Sequence, residues 1–351
     1  MIDIDGSYGE GGGQILRTSL SLSCLFNKPF RIFNIRKGRK KPGLMPQHLT
    51  SVRASQLISN ADVEKDEVGS TELIFIPHEV KGGEFLFDVG TAGSTSLVLQ
   101  TLIPSLIFSK ELTTIILKGG THVPFSPSFH YLLYIFRYFL NKIGISIDLS
   151  IEKYGFYPKG GGKIKAQIKP ASGIKPLNIN KREEIKKIDI LSYVSNLPIK
   201  IAERQKESIV NKISNLLKDT PYKLNIDLQE VPSIGQGTFA FLFSEYNNTV
   251  AGFTSLGEKG KKAEQVGEEA ANEFIDYHNS GSALDPHISD QIVLYLSLAD
   301  KESFFTTSKI TQHLLSNLCV IKSFKDIKYT INGELNQPGE IRIIPNPKYP
   351  Y

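Results

Sequence analysis

Apolar positions along this chain switch repeatedly between a helical spacing and the alternation of strands. The order of the switches predicts a threefold repeat. In the first unit a glycine-rich loop leads into a helix from Gln14 to Phe26. A short strand follows over Phe30 to Ile35, then a basic loop and a second helix from Pro46 to Ser59. Strand-like segments at Leu73 to Pro77 and Glu84 to Asp88 end the unit. The second unit repeats that order. Val89 to Ser94 opens a helix through Phe108, Leu112 to Leu117 is a β-branched strand, and Lys118 to Pro124 is a loop. Pro127 to Ile143 is a second helix, because Leu132, Leu133, Phe136, Phe139 and Leu140 share one helical stripe. Strands are expected over Ile145 to Ile151 and Lys163 to Ile168, with the turn cluster Tyr154 to Gly162 between them. The third unit begins near Asp285. Its helices span Ile288 to Ala299 and Lys309 to Val320, and its strands Ser303 to Thr307, Ile327 to Ile331 and Glu340 to Ile344.

Between the second and third units the order changes. A strand over Ile188 to Val194 precedes an amphipathic helix from Ala202 to Leu217. Three strands follow, Lys223 to Gln229, Thr238 to Ser244 and Val250 to Ser255, and a helix from Ala263 to Tyr277 closes the block. This βαβββα segment has its own apolar faces and reads as an inserted small domain, separately packed. The expected fold is α/β (α+β), with residues 1–185 and 280–351 in a large domain and 186–279 in the insert. The three units cover about 1–88, 89–178 and 285–345.

Composition narrows the class. The 351 residues are 40% hydrophobic and 22% charged, as in a soluble globular protein with a core that needs no staples. Two cysteines, Cys24 and Cys319, lie in apolar helical runs, so core packing rather than a disulfide framework or a metal site is expected. The start has no basic region followed by an apolar run, and no apolar stretch approaches the roughly 20 residues of a membrane span. A cytoplasmic protein without membrane contact is the expectation. The net charge of +5 is compatible with an RNA or nucleotide partner but does not identify one.

Candidate chemistry concentrates in two glycine loops at helix mouths, Gly6 to Arg17 and Ile35 to Leu49. Glycine lets backbone N–H groups approach a ligand, and a helix N-terminus favours anions. Five cations between Arg36 and Lys41 add positive charge, so the pair of loops suggests a phosphate site. Neither loop matches G-x-x-x-x-G-K-[ST] or G-x-G-x-x-G. Glu10, the one acid in the first loop, is either a solvated turn residue or a ligand for a phosphate-bound divalent ion. Of seven histidines, His287 and His313 stand out, at the mouth of the third unit's first helix and on its second helix. A neutral imidazole is a nucleophile toward phosphorus at neutral pH, although a histidine on an apolar helix is more often a core residue.

Gly9 to Arg17, Ile35 to Leu44, Gly119-Gly-Thr121, Gly155 to Gly162 and His313-Leu-Leu-Ser-Asn317 together resemble the RNA 3′-terminal phosphate cyclases, over essentially the whole chain. The resemblance implies three βαβαββ-type repeats with an inserted domain. It implies an ATP-dependent, nucleotidyl-transferring ligase of RNA processing that turns an RNA 3′-phosphate into a 2′,3′-cyclic phosphate, through a histidinyl-AMP and then an RNA-adenylate. His313 falls on the nucleophile's motif. Glu10 matches the acid near the metal, Mg or Mn. Arg17, Arg36, Arg39 and Gln47 match groups around the phosphates or the RNA end. Gln100, Asp290 and Gln291 match the nucleotide site, and Pro127 and Tyr131 the wall for adenine. His287 stands where relatives often carry tyrosine, which puts the adenine packing in doubt. ATP and RNA with a 3′-phosphate end are the implied partners; a homodimer is allowed but demanded by no feature. The alternatives are a catalytically silent, cyclase-like ribosome-assembly factor, disfavoured by His313, Glu10, Arg17 and Arg39, and an enolpyruvyl transferase, which carries six repeats and lacks the His313 motif.

Overall fold

The computed structural model describes residues 1–346; residues 347–351, the end of the expected large domain, lie outside that range. The first 76 residues form β1 (Ile2–Asp5), α1 (Gly13–Phe26), β2 (Phe30–Phe33), α2 (Pro46–Ser59), β3 (Asp62–Glu64) and β4 (Leu73–Ile76). Their sheet has the order β1-β2-β4-β3. β1 and β2 are parallel because α1 carries the crossover between them, and the other pairs are antiparallel.

The same order recurs twice. β5 (Glu84–Asp88), β6 (Thr113–Gly119), β7 (Ile147–Lys153) and β8 (Gly162–Ile168) form the sheet β5-β6-β8-β7. α3 (Thr95–Leu106) lies between its first two strands. The next helix runs through α4 (Phe129–Tyr131), a π-helical turn Leu132–Phe136 and α5 (Arg137–Lys142). The third sheet joins β9 (Asn178–Ile179), β14 (Ser303–Thr307), β15 (Ile327–Asn332) and β16 (Gly339–Pro345) in the order β9-β14-β16-β15, with α8 (Pro286–Leu296) and α9 (Gln312–Phe324).

Two unit boundaries differ from the sequence expectation. Glu84–Asp88 does not end the first unit; it runs parallel to β6 and opens the second sheet. The third unit does not begin near Asp285, because its first strand is the two-residue β9, which pairs with Phe304 and Phe305 from before the insert. The insert therefore interrupts a repeat rather than separating two. β9 is too short to show any period, and Ile2–Asp5, another opening strand, offers only Ile2 and Ile4 as a signal.

The helices of the three units meet in one core. α1 packs against α2, α3 and α9, and α8 packs against α9. α1 is buried nearly all round, and its small Ser19, Ser21 and Ser23 let neighbouring helices come close. Ser21 Oγ donates to Thr101 O of α3, which ties the first two units. Cys24 lies in this core, where burial pushes its thiol up to about 12; Cys319 is half-buried on α9.

The insert consists of β10 (Ile185–Ser195), α6 (Lys200–Leu216), β11 (Lys223–Glu230), β12 (Gly237–Tyr246), β13 (Val250–Leu256) and α7 (Ala263–Ser280), with the sheet order β11-β10-β12-β13. One sheet face is covered by its own helices, where Ile190, Leu242, Ile209, Ile213 and Phe274 form a distinct cluster. The other face carries Tyr193, Phe239, Phe241 and Phe243, which belong to the main core. Phe239 lies against His122 at a ring distance of 4.2 Å and against His130 at 5.0 Å, and Phe241 stacks on Tyr134. The insert is thus a layer of the large core on one side, not a separately packed body on both.

His122 Nε2 and His130 Nδ1 are 2.8 Å apart inside this aromatic seam. Burial holds both imidazoles below the ordinary histidine value, His130 at about 3. A group depressed in the folded state contributes stability above its unfolded pKa of ~6.5 and loses it as the pH falls toward the folded value. The melting temperature is expected to drop between pH ~7 and ~5, and the double variant His122→Phe/His130→Phe to show a shallower drop. Equal slopes in thermal melts of the two proteins would remove the histidine pair as the cause.

Candidate active site

The loops before α1, α2, α3 and α9 come together at one end of the helix cluster. Ser94 caps α3, and its N–H donates to Gln47 Oε1 on α2. Gln14 Nε2, at the start of α1, donates to the carbonyl of His313. Gly9 has φ +60, and a Cβ there would lie 2.5 Å from Ser316 Oγ, so the glycine loop rests directly on α9. Glycine is required both by that backbone conformation and by that approach.

This packing sets Glu10 beside His313. Glu10 Oε2 is 3.6 Å from His313 Nε2 and 3.4 Å from Arg39 Nη2, and both His313 and Glu10 are about half exposed. His313 follows Thr311, the N-cap of α9, whose Oγ1 accepts from Leu314 N. Its imidazole is held below the ordinary histidine value, mainly by burial. Arg17, His287 and Arg39 act in the same direction, and Glu10 opposes them. His313 is therefore neutral at neutral pH, with a nitrogen lone pair available to an electrophile.

Asn317, one turn after His313, ties three helices. Its Oδ1 accepts from Thr18 Oγ1 of α1, and its Nδ2 donates to Asp290 O of α8. Asp290 is buried, and its carboxylate accepts from Thr311 Oγ1. In this arrangement Asp290 holds the α9 mouth in place. Gln100 Nε2 of α3 donates to Gln291 Oε1 of α8.

The cations divide into distinct settings. Arg17 has no hydrogen-bond or ion-pair partner among the described residues, and desolvation lowers it to about 10. Arg36, with φ 55, donates from Nη1 to Lys41 O and Gly43 O. Its guanidinium braces its own loop. Arg39 reaches across to Glu10 and lies 3.4 Å from where a Cβ on Gly12 would sit.

At the far side of the cleft, Tyr131 is buried, and its hydroxyl donates to Asp285 Oδ1 at 2.7 Å. Asp285 caps α8 and also accepts from His287 N and Ile288 N. His287 is exposed and meets Tyr131 edge to face at 5.9 Å. The open ring surface here belongs to His287, with half-buried Pro127 nearby in sequence to α4; Tyr131 stands behind as support.

One residue escaped the sequence reading. His48 is 3% exposed, and its Nδ1 accepts from Met45 N at 3.1 Å. A Cβ on Gly13 would come within 2.1 Å of its Nε2. Burial, Arg17 and Arg36 lower its pKa to about 3, so it stays neutral. A helical histidine on a buried face gives no signal in the sequence that separates it from a core residue.

Among the described residues no group of three or more His, Cys, Asp or Glu side chains could hold a metal by itself. Glu10 alone fits the Mg²⁺ pattern of one carboxylate completed by substrate phosphates and water.

The two loop arginines should separate experimentally. Arg36→Ala removes two carbonyl contacts of a charged donor, each worth about 1.5–3 kcal/mol when well shielded and less at this half-exposed site. Hydrogen exchange across residues 36–43 should speed up in Arg36→Ala and stay unchanged in Arg39→Ala. Equal protection in the two variants would refute the bracing role.

Comparison with known proteins shows the family. The family model described as RNA 3′-terminal phosphate cyclase matches residues 8–331. A protein of that name from Sulfolobus acidocaldarius is 47% identical over 95% of this chain and 97% of its own length. One from Staphylothermus marinus is 42% identical over 98% of both chains, and one from Pyrococcus furiosus is 40% identical over 98% and 99%. The matched span takes in Glu10, Arg17, Arg39 and His313 together with the whole insert, and on that breadth the chain belongs to the RNA 3′-terminal phosphate cyclase family.

Proposed function

We propose that this protein is an ATP-dependent ligase that converts an RNA 3′-phosphate end into a 2′,3′-cyclic phosphate. The observation that carries the reading is a neutral, half-exposed His313 set against Glu10 in a cleft whose half-buried cation, Arg17, has no partner among the described residues. In the first step the His313 Nε2 lone pair forms a bond to the α-phosphorus of ATP, and the bond to pyrophosphate breaks. An oxygen of the RNA 3′-phosphate then displaces the imidazole from AMP. The 2′-hydroxyl attacks the 3′-phosphorus, gives up its proton and expels AMP.

Arg17 and Arg39 suit the charge that develops on the transferring phosphoryl group, because preorganised donors act most strongly where water is excluded. Gln47, held by Ser94 N, lines the same side, and Arg36 keeps the basic loop in register. Glu10 would hold the divalent ion, Mg or Mn, which supplies charge neutralisation at the phosphates. His287 and Pro127 offer the surface for adenine, with Tyr131, Gln100 and Gln291 behind it. ATP and a 3′-phosphorylated RNA are the partners, and the cytoplasm is the compartment this chemistry fits. Among the described residues no helix is long and apolar enough to cross a membrane.

The silent ribosome-assembly reading keeps the fold but has no use for a neutral histidine facing Glu10. The test is incubation with ATP, Mg²⁺ or Mn²⁺ and an oligoribonucleotide bearing a 3′-phosphate. A cyclic end, AMP and pyrophosphate are expected. A 3′-hydroxyl or a terminal 2′-deoxyribose should give no cyclic product. His313→Asn should fold and give none, and His287→Tyr should remain active. Cyclisation that proceeds equally well without nucleotide would contradict the reading.

A further inference from the structure

The mouth of α1 gathers unpaired donors. The helix has Gly12 at its N-cap, no side chain accepts from its first N–H groups, and no acid occurs in its first turn. Beside it stands Arg17, half-buried and without a hydrogen-bond or ion-pair partner among the described residues. The third component is His48. Its Nδ1 accepts the Met45 N–H, which places the ring proton on Nε2. That Nε2–H points at Gly13 and has no hydrogen-bond partner among the described residues, although the side chain is 97% buried as the complement of its 3% exposure.

Donors of three kinds left unpaired in one partly desolvated place favour an anion. We propose that Gly12–Gly13, Arg17 and His48 form an anion hole for a terminal phosphate monoester, to which His48 donates from Nε2. Two sources share that chemistry: the RNA 3′-phosphate and the terminal phosphate of the nucleotide. The inference rests on the cyclase reading only for which of these fills the hole. A Cβ on Gly13 would close the approach, which accounts for glycine there. A hole lined mainly by donors favours the dianion. Because burial keeps His48 neutral down to about 3, its donor is present whatever the ordinary histidine titration does.

His48→Gln and His48→Glu provide the test. At the third helical position both side chains can accept the Met45 N–H, as in a capping box, so both keep the start of α2. Only glutamine offers an N–H to the hole; glutamate brings an acceptor and a charge. Thermal protection by inorganic phosphate and by pyrophosphate is read on the full chain, without turnover. His48→Glu should raise their half-saturating concentrations by ~100-fold or more, and His48→Gln by less than ~10-fold, at similar melting temperatures of the free proteins. Steady-state assays then assign the source. A rise confined to the half-saturating RNA concentration, with His313 adenylation intact, places the RNA 3′-phosphate in the hole. A rise for ATP places the nucleotide there. Unchanged protection in His48→Glu, or equal losses in the two variants, would overturn the proposal and leave His48 as a helix cap. Wild-type protein that is protected by pyrophosphate but forms no cyclic RNA would instead contradict the reaction reading while the hole stands.

Discussion

The structure depends on one unbalanced interaction: the half-buried, partly desolvated Arg17 guanidinium stands in a helix cluster with no carboxylate to pair it among the described residues. Such a group is unfavourable by itself, because burial removes hydration and nothing in the protein returns it. It is tolerated because α1 is fixed on three sides by α2, α3 and α9. Those contacts come from apolar helix faces of all three repeats, so the fold as a whole holds a positive charge where the chemistry needs one. Under the proposed function, a phosphate arriving there would relieve the imbalance. Binding energy and catalysis then draw on the same preorganised field.

The same burial disfavours charge on the histidines too, and there it leaves the neutral form. Burial, joined by Arg17 and Arg39 at His313 and by Arg17 and Arg36 at His48, disfavours a second positive charge, so both histidines stay neutral. Neutrality has different uses in the two places. His313 reaches the half-exposed edge of the cleft beside Glu10 and can attack, whereas His48 lies behind the glycine loop and can only donate. Asn317, Asp290 and Thr311 form a small polar network that ties α1, α8 and α9 and so fixes where His313 stands.

Much of this was legible in the chain. The 3.6-residue stripes located every long helix, and the insert's βαβββα order was readable because each of its elements has a strong period. The opening strands of the repeats were not. β9 has two residues, and its partner β14 lies beyond the insert, so only the sheet reveals that the insert splits a repeat. The glycine loops, Glu10 and His313 were found by motif. The assignments of Arg36 and Tyr131 needed coordinates, because a bracing arginine and a supporting tyrosine look like ligand contacts in sequence. The insert's second apolar face was equally hidden: alternation in β12 shows two buried faces but not that one of them rests on His122 and His130.

The central claim is that His313 becomes covalently adenylated, and peptide mapping after exposure to α-labelled ATP and a divalent ion tests it most directly. The account predicts label on the α9 peptide containing His313, in a phosphoramidate that is lost in acid and survives mild alkali. Label on the Asp285–Gln291 segment, persisting in His313→Asn and vanishing in His287→Tyr, would contradict it and move the reactive centre to the mouth of α8.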